Sequence, residues 1–263
     1  RSDRDWSSDV CSSDLITDPL FYLAAVPAVT LLGLAKGGLS GLGVLSLPLM
    51  ALAIPPVEAA AVMLPILLVQ DAVAVWSYRR TWDRRNLSIL IPAAALGILA
   101  GYLLASQVPG GAVKLAVGLI SIVFGVQRLI VERRSAAGAP VPSAAAGWLW
   151  GAVAGFTSMI AHAGGPPFQV YVMPQRLPRD VFIGTSVVFF AVINWIKVPA
   201  YVALGQMTAA TLLTAAVLMP LAVGATRAGV ALVRRIDGAL FYRMVYLLLI
   251  ALGAKLQVDH AVE

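Results

Sequence analysis

Long apolar blocks separated by short polar or basic connections set the pattern of this chain. Residues 87–105, 112–131 and 239–256 each come close to the ~20 residues that cross ~30 Å of hydrocarbon as a helix. None shows the two-residue alternation of a barrel strand, so the pattern predicts membrane-spanning helices. The first half reads as 20–34, a Gly-rich interruption, 44–54, 57–78, 87–105 and 112–131. A polar linker, 132–143, carries Arg133, Arg134, Gly138, Pro140 and Pro142. The second half repeats the order as 144–160, a Gly/Pro interruption, 168–173, 181–204, 209–223 and 239–256, with 224–235 assigned to the last connection.

Sliding the halves over one another at a single offset of 122 residues brings Gly43 onto Gly165, Pro56 onto Pro178 and Glu58 onto Asp180. Pro92, Gly97 and Gly101 resemble Pro220, Gly224 and Gly229 at a slightly larger offset, which points to an internal duplication. Loop charge gives the halves opposite orientations. Arg79, Arg80, Arg84 and Arg85 fill the middle loop of the first half, and the turn 107–111 is uncharged. In the second half the loop 205–208 is uncharged, and Arg227, Arg234 and Arg235 follow at the later connection. Cytoplasmic loops collect Lys and Arg, so equivalent loops must face opposite sides. The expected fold is therefore an all-α polytopic bundle of two inverted repeats, 16–131 and 144–263, joined by a cytoplasmic linker.

Composition agrees with the pattern. Hydrophobic residues make up 60% of the chain and charged residues 12%, against roughly 25% charged in soluble domains. Residues 1–15 differ sharply, being Ser/Asp-rich without the apolar middle of a signal peptide. They read as a translated adapter fused to a truncated gene and are expected to lie outside the fold. They hold the only cysteine, Cys11, which leaves no disulfide or thiol chemistry for the rest. The remaining chain carries 17 basic against 9 acidic residues, an excess explained by membrane topology without a nucleic-acid partner.

Two interruptions hold the candidate chemistry. Each hairpin, 20–54 and 144–175, is shorter than the ~40 residues of two full spans, so both are expected to be re-entrant or compressed, with tips near the midplane. Inverted-repeat transporters bind substrate at such broken helices. The first tip offers Lys36, Gly37, Gly38, Ser40, Gly41 and Gly43: a cation, and glycines whose exposed amides suit an anion. Lys36 alternatively snorkels or pairs with an acid, with the glycines serving helix packing. The second tip offers His162, Gly164, Gly165, Gln169 and Tyr171, with Pro166 and Pro167 fixing the loop. His162 is either a titrating or donating group or a structural one. Standing without a nearby Cys, Asp or second His, it is a poor metal ligand, and neither metal nor cofactor is expected. Asp71, Asn194 and Lys197 are candidates for coupling or gating. Asp71 either pairs with Lys197, carries a coupling proton, or sits at the interface. Arg227 reads as a lipid anchor more than an anion gate, and Glu58 and Asp180 as helix-start charges.

The segments GLAKGGLSGLGVLSLPLM (33–50) and HAGGPPFQVYVMPQRLPRD (162–180) carry a Gly-rich hairpin, a following proline such as Pro48, and a helix ending in basic residues, all repeated after a linker. This pattern resembles the sulfite exporter TauE/SafE family of membrane transporters over residues 18–256. Two departures are present: Gly41-Leu42-Gly43 stands where many members have three glycines, and Pro166 follows the glycines of the second tip. The resemblance implies export or uptake of a small sulfur-containing or organic anion, such as sulfite, a sulfonate or a related carboxylate. On this reading the chain is a multi-pass protein of a bacterial inner membrane and not an enzyme. Its partners are the small anion and the bilayer; proton or ion coupling and homo-oligomerisation are both left open. An intramembrane enzyme using His162 with Ser158 or Asp71 is the alternative, as is a non-transporting assembly or sensor protein. No GxSxG, HExxH or phosphate loop supports the enzyme.

Overall fold

The computed structural model describes residues 16, 18–39, 42–104, 122, 126 and 142–237, with isolated positions between 240 and 254. The leading segment 1–15, the turn 107–111, the expected spans 112–131 and 239–256, the linker 132–143, and Ser40 and Gly41 lie wholly or mostly outside the described residues.

Every regular element among the described residues is helical. Helix α1, Pro19–Lys36, starts where the Asp18 carboxylate accepts the Leu20 N–H at 2.9 Å and Pro19 supplies a preset φ. It ends at Gly37 and Gly38. A 3-10 turn, Leu42–Leu45, and the short α2, Ser46–Met50, fold back along it. Helices α3, Pro56–Tyr78, and α4, Arg84–Leu104, complete the described part of the first half. In the second half α5, Ala144–Ala161, is capped by Ser143, and α6, Gly165–Val172, begins on Pro166 and Pro167. A 3-10 turn, Met173–Gln175, leads to α7, Arg179–Ala203, and α8, Ala209–Arg234.

Helices α1, α3, α4, α7 and α8 are long and apolar enough to cross a membrane, while α5 is a shorter apolar helix. The outward side chains fit hydrocarbon: Leu23, Leu99, Leu103, Trp195, Leu213 and Val217 are all more than half exposed. The expected end of α8 near residue 223 is corrected, because the helix continues eleven residues to Arg234. Gly224 and Gly229 do not break it. Gly229 instead lets α1 approach so closely that a Cβ on Gly37 would lie 2.5 Å from the Gly229 Cα. In a bilayer small residues mark contact faces more often than helix ends. Arg227 accordingly stands exposed on the helix and not in a connection.

Small-residue faces decide which helices meet. Gly33 and Gly37 of α1 pack on Ala225 and Gly229 of α8, and Gly151 and Gly155 of α5 pack on Ala93 and Ala94 of α4. The first helix of each half thus packs on the last described long helix of the other. Likewise α3 packs on α8, α4 packs on α7, and α3 and α7 pack on each other. Exchanging the halves maps these pairs onto themselves.

Side-chain contacts gather the basic connections at one end of the bundle. Arg179 donates to the Val233 and Ile236 carbonyls, Arg234 to the Ser77 carbonyl, and the Asp83 N–H to Thr185 Oγ1 at 2.8 Å. Asn86 and Gln175 exchange amide hydrogen bonds at 2.9 and 3.0 Å. Trp76 lies under the Arg79 guanidinium at 4.2 Å, an aromatic and basic pairing suited to a membrane interface.

Candidate functional site

Between the two tips and the α3/α7 crossing lies a cavity of about 100 Å³. By volume per water it holds several solvent molecules or a small anion. One wall belongs to α7, where Ile183, Ser186, Val187, Phe190, Asn194 and Lys197 fall at helical spacing along a single face. That stripe runs from residue 183 to 197, fourteen residue steps or roughly 21 Å of helix. The tips reach it at different heights. Gly38 lies against Ile183 and Val233, near the basic end, whereas Ser158 contacts Lys197, toward the other. The two tips line one cavity but reach α7 at different levels.

The first tip is the end of α1. Gly38 takes φ +133°, a conformation that favours glycine. The N–H groups of Gly37, Gly38 and Leu39 donate to the Gly33, Ala35 and Leu34 carbonyls, and Tyr78 OH bonds the Gly37 carbonyl at 2.9 Å. These amides close the helix and are not free for a ligand, which corrects the expected amide cradle at Gly37 and Gly38. A helix C-terminus instead favours the cation beside it, Lys36. Its Nζ donates to Asp71 Oδ1 at 2.6 Å and lies 5.2 Å from the centroid of the Phe190 ring. Asp71, 1% exposed, accepts the Asn194 amide on its other oxygen, also at 2.6 Å. Both carboxylate oxygens are therefore held, one by charge and one by an amide.

Lys197 does not pair with Asp71. At 1% exposed, it donates to the Ser158 hydroxyl and carbonyl at 3.3 and 3.4 Å. The cavity lining therefore brings two lysines together with the single carboxylate of Asp71 beside them, so that one lysine has no carboxylate partner among the described residues.

The second tip follows α5, whose final residue contact is left-handed: His162 has φ +51° and the Ala163 N–H reaches back to the Thr157 carbonyl at 3.2 Å. The Ser158 carbonyl is near the imidazole, but neither ring nitrogen has a protein partner at hydrogen-bond geometry. Gln169 Oε1 is likewise buried without a partner. Phe168, wholly buried, anchors α6 by stacking on Phe189 at 4.9 Å and leaning on Phe190 at 5.6 Å, which holds Gln169 at the cavity wall.

Of the residues singled out in the sequence, Lys36, Gly38, Gly43, His162, Gly165, Gln169, Asn194 and Lys197 line this cavity, and Asp71 braces it. Gly37 packs on Gly229, and Gly164 packs on Ala154 and Ser158. Tyr171 is buried against Gly147, away from the cavity. Ser40 and Gly41 lie outside the described residues. Sequence reasoning passed over Ser186, Phe190 and Met63. The α7 stripe was the signal that could have found the first two, since Ser186, Phe190, Asn194 and Lys197 recur at turns of one helix. His162 makes no hydrogen bond to Ser158 Oγ or Asp71.

A family model described as Sulfite exporter TauE/SafE matches residues 25–256. No curated protein and no solved structure gives a match to the chain.

Proposed function

Because this chain belongs to the sulfite exporter TauE/SafE family, a family of membrane transporters for sulfur-containing anions, we propose that it is a secondary transporter that moves a small anion through the cavity between its tips by alternating access. The observation that carries this reading is the make-up of the cavity, two lysines, one of them fully buried, against one carboxylate. A buried cation without a counter-charge is strongly destabilising, and an anion relieves it. Lys197, His162 and Gln169 supply donors at one end. Leu32, Met63, Leu67 and Phe190 supply an apolar wall that admits a sulfonate or short carboxylate as well as sulfite.

The paired contacts between halves support the inverted-repeat reading, and the gathered arginines support placing that end in the cytoplasm. The two halves would then rock about the α3/α7 crossing. The unmade bonds of His162 weigh against the enzyme alternative.

The test is anion flux into proteoliposomes made with purified protein. Wild type carries sulfite or a sulfonate, and Lys36→Ala abolishes the flux while the protein stays monodisperse. Undiminished flux in a folded Lys36→Ala variant removes Lys36 from the mechanism. Thermal stabilisation of wild type by sulfite, thiosulfate, sulfonates and carboxylates ranks the substrates, since a ligand of the folded state raises apparent stability.

A further inference from the structure

Resting on the transport reading, we infer that Asp71 is a built-in stand-in for the substrate anion, which gives up Lys36 when it takes a proton, so that the anion crosses with a coupled proton.

Three observations lead there. Asp71 and Lys36 are in contact at 2.6 Å, and the Lys36 side chain, 11% exposed, also lines the cavity. A substrate that reaches Lys36 must therefore compete with a carboxylate already there. Asn194 holds the other oxygen at 2.6 Å. An amide can turn to accept as readily as it donates, so this partner serves either the carboxylate or the carboxylic acid. Finally, the charges around Asp71 add up in a particular way. From α1 it faces Lys36; from α7, Lys197 lines the same cavity as Lys36. His162, after α5, faces the same cavity. The short α2 carries no titratable side chain. The other charged groups on the packed helices, Arg179 and Asp180 of α7 and Arg227 and Arg234 of α8, lie at the basic end or on the exposed surface. On α3 itself Glu58 is at the start of the helix and Tyr78 at its end.

With Asp71 ionised and both lysines charged, the cavity carries one net positive charge, which one monoanion neutralises. With Asp71 protonated it carries two, which one dianion neutralises. The proton balance is simple: the carboxylate takes H⁺ from the water on the side to which the cavity is open, becomes the neutral acid, and returns that H⁺ on the other side as Lys36 is recaptured. A dianion travels with one proton on Asp71. A monoanion that already carries its own proton leaves Asp71 ionised. Either way the loaded cavity is neutral, and each cycle moves the same net charge.

The experiment uses the full chain in proteoliposomes holding a trapped pH dye, with sulfate and thiosulfate, both doubly charged at neutral pH, as dianion probes and methanesulfonate as the permanent monoanion. For whichever dianion is transported, about one proton enters with each anion, and an acidic exterior drives uphill accumulation. Methanesulfonate, where transported, enters without dye-detected protons. In Asp71→Asn, whatever anion flux remains carries no proton and shows no pH-driven accumulation. Dianion flux in wild type without proton movement overturns the inference and leaves the transport reading standing, as does pH-driven accumulation in Asp71→Asn. No flux of any anion in wild type sinks both. The wild-type dye measurement decides the matter even where Asp71→Asn fails to fold.

Discussion

Lys197 is a lysine buried at 1% exposure whose hydrogen-bond partners among the described residues are the hydroxyl and carbonyl of Ser158. Hydrogen bonds to a charged group contribute about 1.5–3 kcal/mol, and tenfold in affinity is about 1.4 kcal/mol. Replacing Lys197 by Gln, which keeps a donor for Ser158 but loses the charge, is therefore expected to weaken anion binding roughly 10- to 100-fold, read by calorimetry on purified protein. Binding unchanged in Lys197→Gln would make the residue structural. Tyr171→Phe is the contrasting case: its ring is packed against Gly147 off the cavity, so the affinity is expected to hold. At this scale the sequence was readable wherever burial of charge is rare. Lys36, Asp71, Asn194 and Lys197 stood out because such groups inside apolar helices need a reason. Their partnership was not readable. Asp71 goes to Lys36 and not to Lys197 because the register of α1 against α3 is set by contacts with α8, which a single sequence does not display. Ser186 and Phe190 stayed hidden because both are ordinary residues in a membrane helix.

Helices here are positioned by missing side chains. A Cβ on Gly184 of α7 would lie 1.7 Å from the Thr81 carbonyl oxygen, and one on Gly97 of α4 would lie 2.0 Å from the Ala152 carbonyl oxygen. Backbone atoms cannot swing aside, so the helices must separate. Gly184→Ala and Gly97→Ala are each expected to destabilise by about 1–3 kcal/mol, seen as a lower melting temperature in detergent. Gly224→Ala, where a Cβ meets nothing within 4 Å, is the control. It is expected to be neutral or to stabilise by up to about 1 kcal/mol, the helix-propensity gain of Ala over Gly. Equal melting temperatures for all three would mean that these close approaches do not hold the bundle together. The same glycines explain what was misread at this scale. Apolar length placed α1, α3, α4, α5 and α7 to within a few residues. The end of α8 was missed because Gly224, Arg227 and Gly229 imitate a connection, while in lipid all three positions face either a neighbouring helix or open surface without interrupting the hydrogen-bond ladder.

For the molecule as a whole, the contacts and the loop charges make one joint claim about sidedness. Arg179 and Arg234 tie the start of α7 and the end of α8 to the end of α3, so residues 79–83 and 235 share one end of the bundle. The loop after α7 is at the opposite end of that helix, and the turn before α3 is at the opposite end of α3. A direct duplication would put the loop 79–83 and its counterpart near 204 on the same side, whereas an inverted one puts them on opposite sides. The arginines then choose the absolute orientation, because basic loops stay in the cytoplasm. Single cysteines at the exposed positions Arg80, Arg235, Leu52 and Leu204, in a Cys11→Ser background, read both points with a membrane-impermeant maleimide. Leu52→Cys and Leu204→Cys are expected to label in intact cells. Arg80→Cys and Arg235→Cys are expected to label only after the membrane is opened. Labelling of Arg80→Cys and Leu204→Cys from one side would dismiss the inverted repeat. The reverse pattern, with Arg80→Cys labelled from outside, would keep the repeat but turn the protein over, and with it the side from which Asp71 takes its proton.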